Sequence, residues 1–528
     1  NKYDWTGRLL SVKEYTDSAN YLLTQYTYDS LGNLLSITDA NGNTASCIFG
    51  SLYGITQIIY PDSTAETFSY DAAGNLVQKT DAKGTTTVTY NASYQVIGLH
   101  YEDQTTTTFG YDANGNRTLM IDPEGTTSYT YDNRNRVLSE TRTIGGEQYA
   151  VYYQYDSASR LVSITYPDQS VISREYDALN RLTSIPGYAQ FSYNADSLLS
   201  DMVFSNGTIT NFQYSNRHQP TAIHTVKNGT DILSMNYEYD PVGNVTQVDY
   251  SRRLPDQTWM QSIELFAYDW LDRLVFAQGD YGLNTYSYDP VGNRLSLSDL
   301  TYAYNNMNEL LSISNGTTFT YDSMGNTLTK ACGTDTWHYT YDSKNQLIQV
   351  EKNQQIIAEY TYDGDGRRIQ KTEWVESLQQ YQDIIYVYSG LNVIYEKNIT
   401  TGQEATSTYG PIGRIAKTVS GLTDYYHIDH LGSTRLITDE SGSVVTEVVY
   451  GPFGETTVTG EKDSYLYTGK EKDSTGLYYY GARYYDPQIG RFITRDSHFG
   501  RLGNPQSLNR YVYVLNNPLK YIDPTGNE

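Results

Sequence analysis

Apolar and polar residues alternate along most of this chain in bursts of a few residues, and clusters of Asp, Gly and Asn separate the bursts. Residues 26–45 show the unit. Tyr26-Thr27-Tyr28 is a β-prone, alternating start. Asp29 follows, and its carboxylate accepts backbone N–H groups two residues on, which begins a turn. Gly32 supplies the positive φ that such a turn needs. Leu34 to Thr38 reads as a second strand, Asp39-Ala40-Asn41-Gly42 as a second turn, and Thr44 opens the next strand. Each unit is thus two strands and two turns, about 20 residues when strands average about 5–6. No amphipathic helix is predicted between residues 1 and 420. Glu373 to Gln382 is the best helical candidate and reads equally as a long hairpin tip, while Ser251 to Gln261 lengthens another hairpin.

The unit recurs with a fixed phrase, Tyr-Asp-x-x-Gly. It stands at Tyr28, Tyr70, Tyr111, Tyr239, Tyr288 and Tyr321, with looser copies at Phe49, Tyr90, Tyr193, Tyr214, Tyr304, Tyr388 and Tyr409. The commonest spacing is about 20 to 21 residues, and a repeat of this kind decides architecture before any single residue does. Length alone, 528 residues, suggests three or four domains. Stacked repeats share one continuous core and argue against that count. Successive strands lie about 4.7–4.9 Å apart, so ring ladders of the phrase tyrosines are expected to add about 0.5–1.5 kcal/mol per pair. A sheet this long twists, so it is expected to coil or close on itself, which also limits its exposed edges.

Composition fits this picture. Hydrophobic residues are 38% and mean hydropathy is −0.57, but aromatics reach 14%, with 55 tyrosines. A layered β-structure with one wet face uses such rings well. The net charge of −24 argues against nucleic acid or an anionic membrane as a partner and favours simple solubility. The two cysteines, Cys47 and Cys332, are too few for a disulfide framework and read as buried thiols. No apolar run is long enough to span a bilayer. The sequence starts at Asn1 without Met or a signal peptide, which reads as a fragment or a processed piece.

The repeat breaks near Tyr425. There follow Tyr425-Tyr426-His427-Ile428-Asp429-His430-Leu431-Gly432, Tyr450-Gly451-Pro452-Phe453-Gly454, and Gly476-Leu477-Tyr478-Tyr479-Tyr480-Gly481-Ala482-Arg483-Tyr484-Tyr485-Asp486-Pro487. Gly490-Arg491-Phe492, Asn509-Arg510-Tyr511, Asn516-Asn517-Pro518 and Asp523-Pro524-Thr525-Gly526 close the chain. With these motifs the chain resembles the Rhs/YD-repeat family, which includes bacterial Rhs toxins, the C component of Tc toxins, wall-associated toxins and animal teneurins. The repeats cover residues 1–420, and residues 421–528 resemble the Rhs repeat-associated core. The resemblance implies an all-β fold: a spiral β-sheet of hairpins winding into a hollow shell, with the core curling inward. It further implies a C-terminal toxin cargo, held inside and in many members freed by aspartic self-cleavage in the core. A companion shell or delivery protein, no nucleic-acid partner, no cofactor, and a secreted or bacterial cell-surface location complete the expectation. The alternative is an adhesion or carbohydrate-binding protein of teneurin type, without cleavage.

Self-cleavage needs two carboxylates sharing one proton. The resemblance places them at Asp496 and Asp523, with Arg495 beside the first as a group for an anionic oxygen. Two departures bear on this: Asp496 is followed by Ser497 where the family usually has Pro, and Asn527 stands where processed members usually carry Leu or Trp. A working protease, a spent one and two turn-forming aspartates all remain open readings. His427, Asp429 and His430 are a weak metal signal lacking a third clear ligand, and no metal is expected. Asn-Gly-Thr at Asn206, Asn228 and Asn315 matches a glycosylation acceptor and equally a hairpin turn.

Overall fold

The computed structural model describes every residue except Leu52, Lys462 and Glu528. It is all-β. Each strand pairs antiparallel with the next along the chain, from Lys2–Tyr3 to Val171–Ser173 and again from Glu175–Tyr176 to Thr456–Gly460. Arg174 alone separates the two runs, and its N–H still donates to the Val162 carbonyl at 2.9 Å. A separate four-stranded sheet joins Glu471–Lys472, Tyr478–Tyr479, Tyr484–Asp486 and Arg491–Phe492. Residues 373–382 form a hairpin tip between the strands Arg368–Val375 and Gln380–Ser389, not a helix. The insertion at 251–261 extends the hairpin of Val245–Arg253 and Trp259–Tyr268. No helix among the described residues is long and apolar enough to cross a membrane.

The phrase residues each have a local task. Asp29 Oδ1 accepts the N–H groups of Leu31 and Asn33 at 2.9 and 2.8 Å, and Asn33 Nδ2 donates to Asp29 Oδ2 at 2.8 Å. The same bonds recur at Asp71, Asp112, Asp240, Asp289 and Asp322. Glycine is not obligatory at the left-handed position: Asn135, Ser159 and Asn180 hold it at φ of 60°, 66° and 63°. Where the Asn is replaced by Arg, the guanidinium reaches further. Arg160 Nε donates to Asp156 Oδ2 at 2.6 Å and its Nη1 to the Asp177 carbonyl of the next turn at 3.0 Å, while it stacks on Tyr176.

The tyrosines work differently from the expected ring ladder. Among the described residues, no ring pair joins consecutive phrase tyrosines. Many of the hydroxyls instead donate to a backbone carbonyl of the preceding hairpin: Tyr70 to Ile55 at 2.9 Å, Tyr111 to Val96 at 2.8 Å, Tyr268 to Val245 at 2.8 Å, Tyr450 to Thr434 at 2.7 Å. Ring-to-ring packing is concentrated in the C-terminal core, where Tyr467, Tyr478, Tyr480, Tyr485, Phe492 and Tyr513 form one buried cluster. The strand register also slips at the phrase Tyr, between Thr27 and Tyr28, Ser69 and Tyr70, Ala267 and Tyr268. A bulge bends its strand and sharpens local twist. One bulge per unit therefore curls the whole sheet.

The curl closes with a measurable pitch. Arg117 pairs with Asp365, Tyr166 OH donates to the Ser407 carbonyl, and Asn206 Nδ2 donates to Thr438 Oγ1, at sequence separations of 248, 241 and 232. Ser343 meets Asp103 at a separation of 240, and Asn306 meets Pro61 at 245. Successive turns of a spiral thus touch at a nearly constant separation, and the sheet winds into a hollow shell. Asn206 is spent in this seam and buried, so it is no glycosylation acceptor. The cysteines are not buried thiols either: Cys47 is half-buried, and Cys332 is exposed where the strand Thr327–Cys332 runs into its turn.

Glu264, in the strand Trp259–Tyr268, is a costly carboxyl. Glu264 is buried with Oε1 unpartnered, and burial raises its pKa to about 7, with Arg435 opposing. A folded pKa above the unfolded value means the charged form is penalised, so this group destabilises the fold as pH rises from about 4.5 through 7. Glu264→Gln removes that penalty. It is expected to raise stability at pH 8 by up to about 3 kcal/mol and to have little effect at pH 4.5. Denaturant melts of both proteins at the two pH values check this; an equal effect at both is the contrary result.

Candidate active site and enclosed cavity

The C-terminal core docks on the turns of the repeats through asparagines. Asn509 Nδ2 donates to Asn293 Oδ1 at 2.8 Å, Asn516 Nδ2 to the Gly292 carbonyl at 2.8 Å, and Asn517 Nδ2 to Asn244 Oδ1 at 2.9 Å. The partners Asn244 and Asn293 hold phrase turns, so the core reads the repeat's own turn chemistry. This docking fixes the segment from Arg491 to Asn527 against the four-stranded sheet.

Asp496 and Asp523 are brought together there, by a residue that the sequence did not single out. Arg483 Nη2 lies 2.8 Å from Asp496 Oδ2 and 3.4 Å from Asp523 Oδ2. Its Nη1 donates to the Arg510 carbonyl at 2.8 Å, its Nε donates to the Gly526 carbonyl, and the guanidinium stacks on Phe492. Burial pulls the Arg483 pKa down to about 10, opposed by the two aspartates. The motif Gly481-Ala482-Arg483-Tyr484 carried the signal, but nothing in its spacing shows which carboxylates it meets.

The two aspartates are held by different local bonds. Asp523 Oδ1 accepts the N–H groups of Thr525, Gly526 and Asn527 at 3.2, 2.7 and 3.1 Å, the turn that Asp-Pro-x-Gly predicts. Gly526 is required: its φ is +80°, and a Cβ would lie 3.0 Å from Arg483 N and 3.1 Å from the Tyr480 carbonyl oxygen. Asp496 Oδ1 accepts the His498 N–H at 2.7 Å, and the Asp496 N–H donates to the Arg510 carbonyl at 2.9 Å. Arg495 makes no bond to either carboxylate among the described residues. Its guanidinium lies over the Tyr60 ring, 4.5 Å from the centroid, with Nε and Nη1 unpartnered.

His427, Asp429 and His430 take separate partners. His427 Nε2 bonds Thr438 Oγ1 at 2.9 Å, His430 Nε2 bonds the Leu519 carbonyl at 2.8 Å, and Asp429 accepts from Arg435 Nε at 2.9 Å. Burial pushes the His427 pKa down to about 3. Among the described residues no cluster of three or more metal-ligating side chains occurs.

Beside the aspartates lies a cavity of about 1040 Å³, bounded by the early strands around Ile58 to Val88, the later strands around Tyr388 to Arg414, and the core. Arg483, Pro524, Thr525 and Asn527 form part of its wall. Pro524, Thr525 and Asn527 thus lie at the edge of a partly open cavity.

Comparison with known proteins agrees with this fold. The Teneurin YD-shell model matches residues 203–519, more than half of the chain. The chain belongs to the YD-shell family. The RHS Repeat model matches stretches of the N-terminal half, including residues 3–44 and 153–185. The YD-shell chain is 30% identical over 357 residues to tRNA nuclease WapA of Bacillus subtilis (strain 168), covering 64% of this chain and 14% of that protein. It is 24% identical over 343 residues to toxin subunit YenC1 of Yersinia entomophaga, covering 62% of this chain and 32% of that one. The crystal structure of TcdB2-TccC3-Cdc42 superposes with a TM-score of 0.85 at 20% identity, over 99% of this chain and 31% of that chain. That likeness concerns the fold. The YD-shell chain is a shell scaffold that spans only a minor part of the length of these relatives.

Proposed function

We propose that this scaffold encloses a C-terminal polymorphic toxin and releases it inside the shell by self-cleavage through Asp496 and Asp523. One observation carries the reading: both carboxylates converge on Arg483 at the wall of the cavity where Asn527 lies. In the reaction, one carboxylate takes a proton from water as the water oxygen bonds to a backbone carbonyl carbon near Asn527. The other carboxyl, protonated, gives its proton to the departing amide nitrogen as the C–N bond breaks. Arg483 bridges the two carboxylates. Arg483, through its Nε on the Gly526 carbonyl, is better placed than Arg495 to hold the anionic oxygen.

The division into residues 1–420 as shell segment and 421–528 as associated core belongs to this proposal. The sheet itself continues through residue 421 to Gly460. We place the protein outside the producing bacterium, secreted or at its surface, with a companion shell or delivery protein. The fold likeness to TcdB2-TccC3, in which two differently named proteins occur together, supports a companion for this chain.

The test is to express the gene through the region downstream of Glu528 and to take intact masses. Two species with a boundary near Asn527 are expected, and a single uncut chain for Asp523→Asn and for Asp496→Asn, with processing slowed by at least about 10²-fold. An uncut wild-type chain, or unchanged cutting in both variants, defeats self-cleavage.

A further inference from the structure

The cavity wall has a charge pattern opposite to that of the whole chain. The chain carries −24, yet the wall carries eight Lys or Arg side chains and four Asp or Glu. All four acids have cationic partners. Glu66 and Asp81 pair with Lys79, Asp365 pairs with Arg117, and Glu471 pairs with Arg368 and Lys371. Of the eight cations, Lys79, Arg367, Arg414 and Arg483 also meet carboxylates. The other four, Lys344, Lys470, Arg495 and Arg510, have no carboxylate within 4.0 Å among the described residues.

These four are held rather than free. Lys344 lies over Tyr101, Lys470 Nζ donates to the Pro524 carbonyl at 2.6 Å, and Arg510 Nη1 reaches Tyr60 OH at 3.3 Å. Arg495 is 7% exposed, with two nitrogens unpartnered. Leaving buried donors unmatched is costly, so an acceptor reaching Arg495 is stabilised. The Lys470 pKa is pushed down to about 8 by burial, with Asp523 opposing, as suits an ammonium lacking a close counter-charge.

We propose that the cavity is a binding site for an acidic polypeptide segment, whose carboxylates pair with Lys344, Lys470, Arg495 and Arg510. The proposal rests on the enclosure reading and deepens it: the shell selects what it holds by charge. Carboxylates rather than free phosphate are the fit, because the cations stand at three separate places: Arg495 and Arg510 at Tyr60, Lys470 at Pro524 and Lys344 at Tyr101. The acidic balance of the chain repels such a segment elsewhere, so attraction is confined to the interior.

The experiment appends short Glu-rich, Ser-rich or Lys-rich segments after Glu528, in the Asp496→Asn background so that nothing is cut. The readout is the half-life of the segment under protease. The Glu-rich segment is expected to survive about tenfold longer than the Lys-rich one, the ratio that one retained ion pair gives. The difference should narrow at 1 M salt and in Lys344→Gln, a half-buried change that leaves the fold intact. Equal survival of all three segments, or best survival of the Lys-rich one, overturns the charge proposal and leaves enclosure standing. Degradation of all three at the rate of a free peptide defeats enclosure itself, and the charge proposal with it.

Discussion

Arg368→Ala is expected to lower stability by about 3–5 kcal/mol, because it removes a counter-charge shared by two buried carboxylates. Arg368 is the largest side chain buried to less than 2% exposure, and it joins the shell to the core. Its Nη2 pairs with Glu471 Oε2 at 2.5 Å and its Nη1 with Asp473 Oδ2 at 2.7 Å. Lys371 Nζ meets the same two carboxylates at 2.8 and 3.1 Å, and Tyr386 OH donates to Glu471 at 2.8 Å. Burial works against the Glu471 anion, but Lys371 and Arg368 outweigh it and hold the carboxyl below the usual range, while burial holds its neighbour Asp473 above it. A depressed carboxyl contributes stability that is present above about pH 4.5 and is lost as pH falls toward 2. The deficit of Arg368→Ala should therefore be largest at neutral pH and shrink in acid, read by denaturant melts at pH 7 and pH 3. Joint replacement of Arg368, Lys371, Glu471 and Asp473 by apolar residues should cost less than Arg368→Ala alone, since no charge is left buried without a partner. A single variant no less stable than the quadruple one counters this account.

The repeat was legible because its determinants are local. Asp29 and Asn33 are four residues apart, and their bonds close one turn, so the phrase alone predicts the hairpin. The coiling of the sheet was legible in outline, since every long sheet twists. Its pitch was not, because it rests on meetings such as Asn206 with Thr438, where no pattern links the two positions. The tyrosine ladder was read correctly as a device that joins units, but its physics was misread. A bulge lies beneath each phrase Tyr, and many of the hydroxyls, such as those of Tyr70 and Tyr111, meet a carbonyl rather than a neighbouring ring. At the site, the resemblance supplied Asp496 and Asp523, while Arg483 stayed hidden. Its partners lie on segments that return to it only through the asparagine docking of residues 509–517. The cationic wall was hidden for the same reason: a net charge says nothing of which face each side chain takes.

Arg483→Met is expected to lose several kcal/mol at pH 7.5 and to recover much of that loss near pH 4, a pH dependence that separates electrostatics from packing. With Arg483 gone, Asp496 and Asp523 face one another in a buried site without the cation they share. Like charge and burial then raise the pKa of one of the pair. A carboxyl raised above its unfolded value of about 3.9 penalises the fold at every pH above its folded pKa, and the penalty disappears below the unfolded value. The shortfall against wild type should thus fall steeply between neutral pH and pH 4. A remainder independent of pH reflects the lost donors to the Gly526 and Arg510 carbonyls and the lost stack on Phe492. Melting temperatures of wild type and Arg483→Met at the two pH values give the comparison directly. Asp523→Asn in the same background leaves one carboxylate, so it should remove most of the pH dependence. A shortfall of equal size at both pH values means that Arg483 acts by packing alone, and that the two aspartates do not sense each other. A shortfall that shrinks in acid shows the opposite: the two aspartates sense each other and can share one proton, as an aspartic dyad requires.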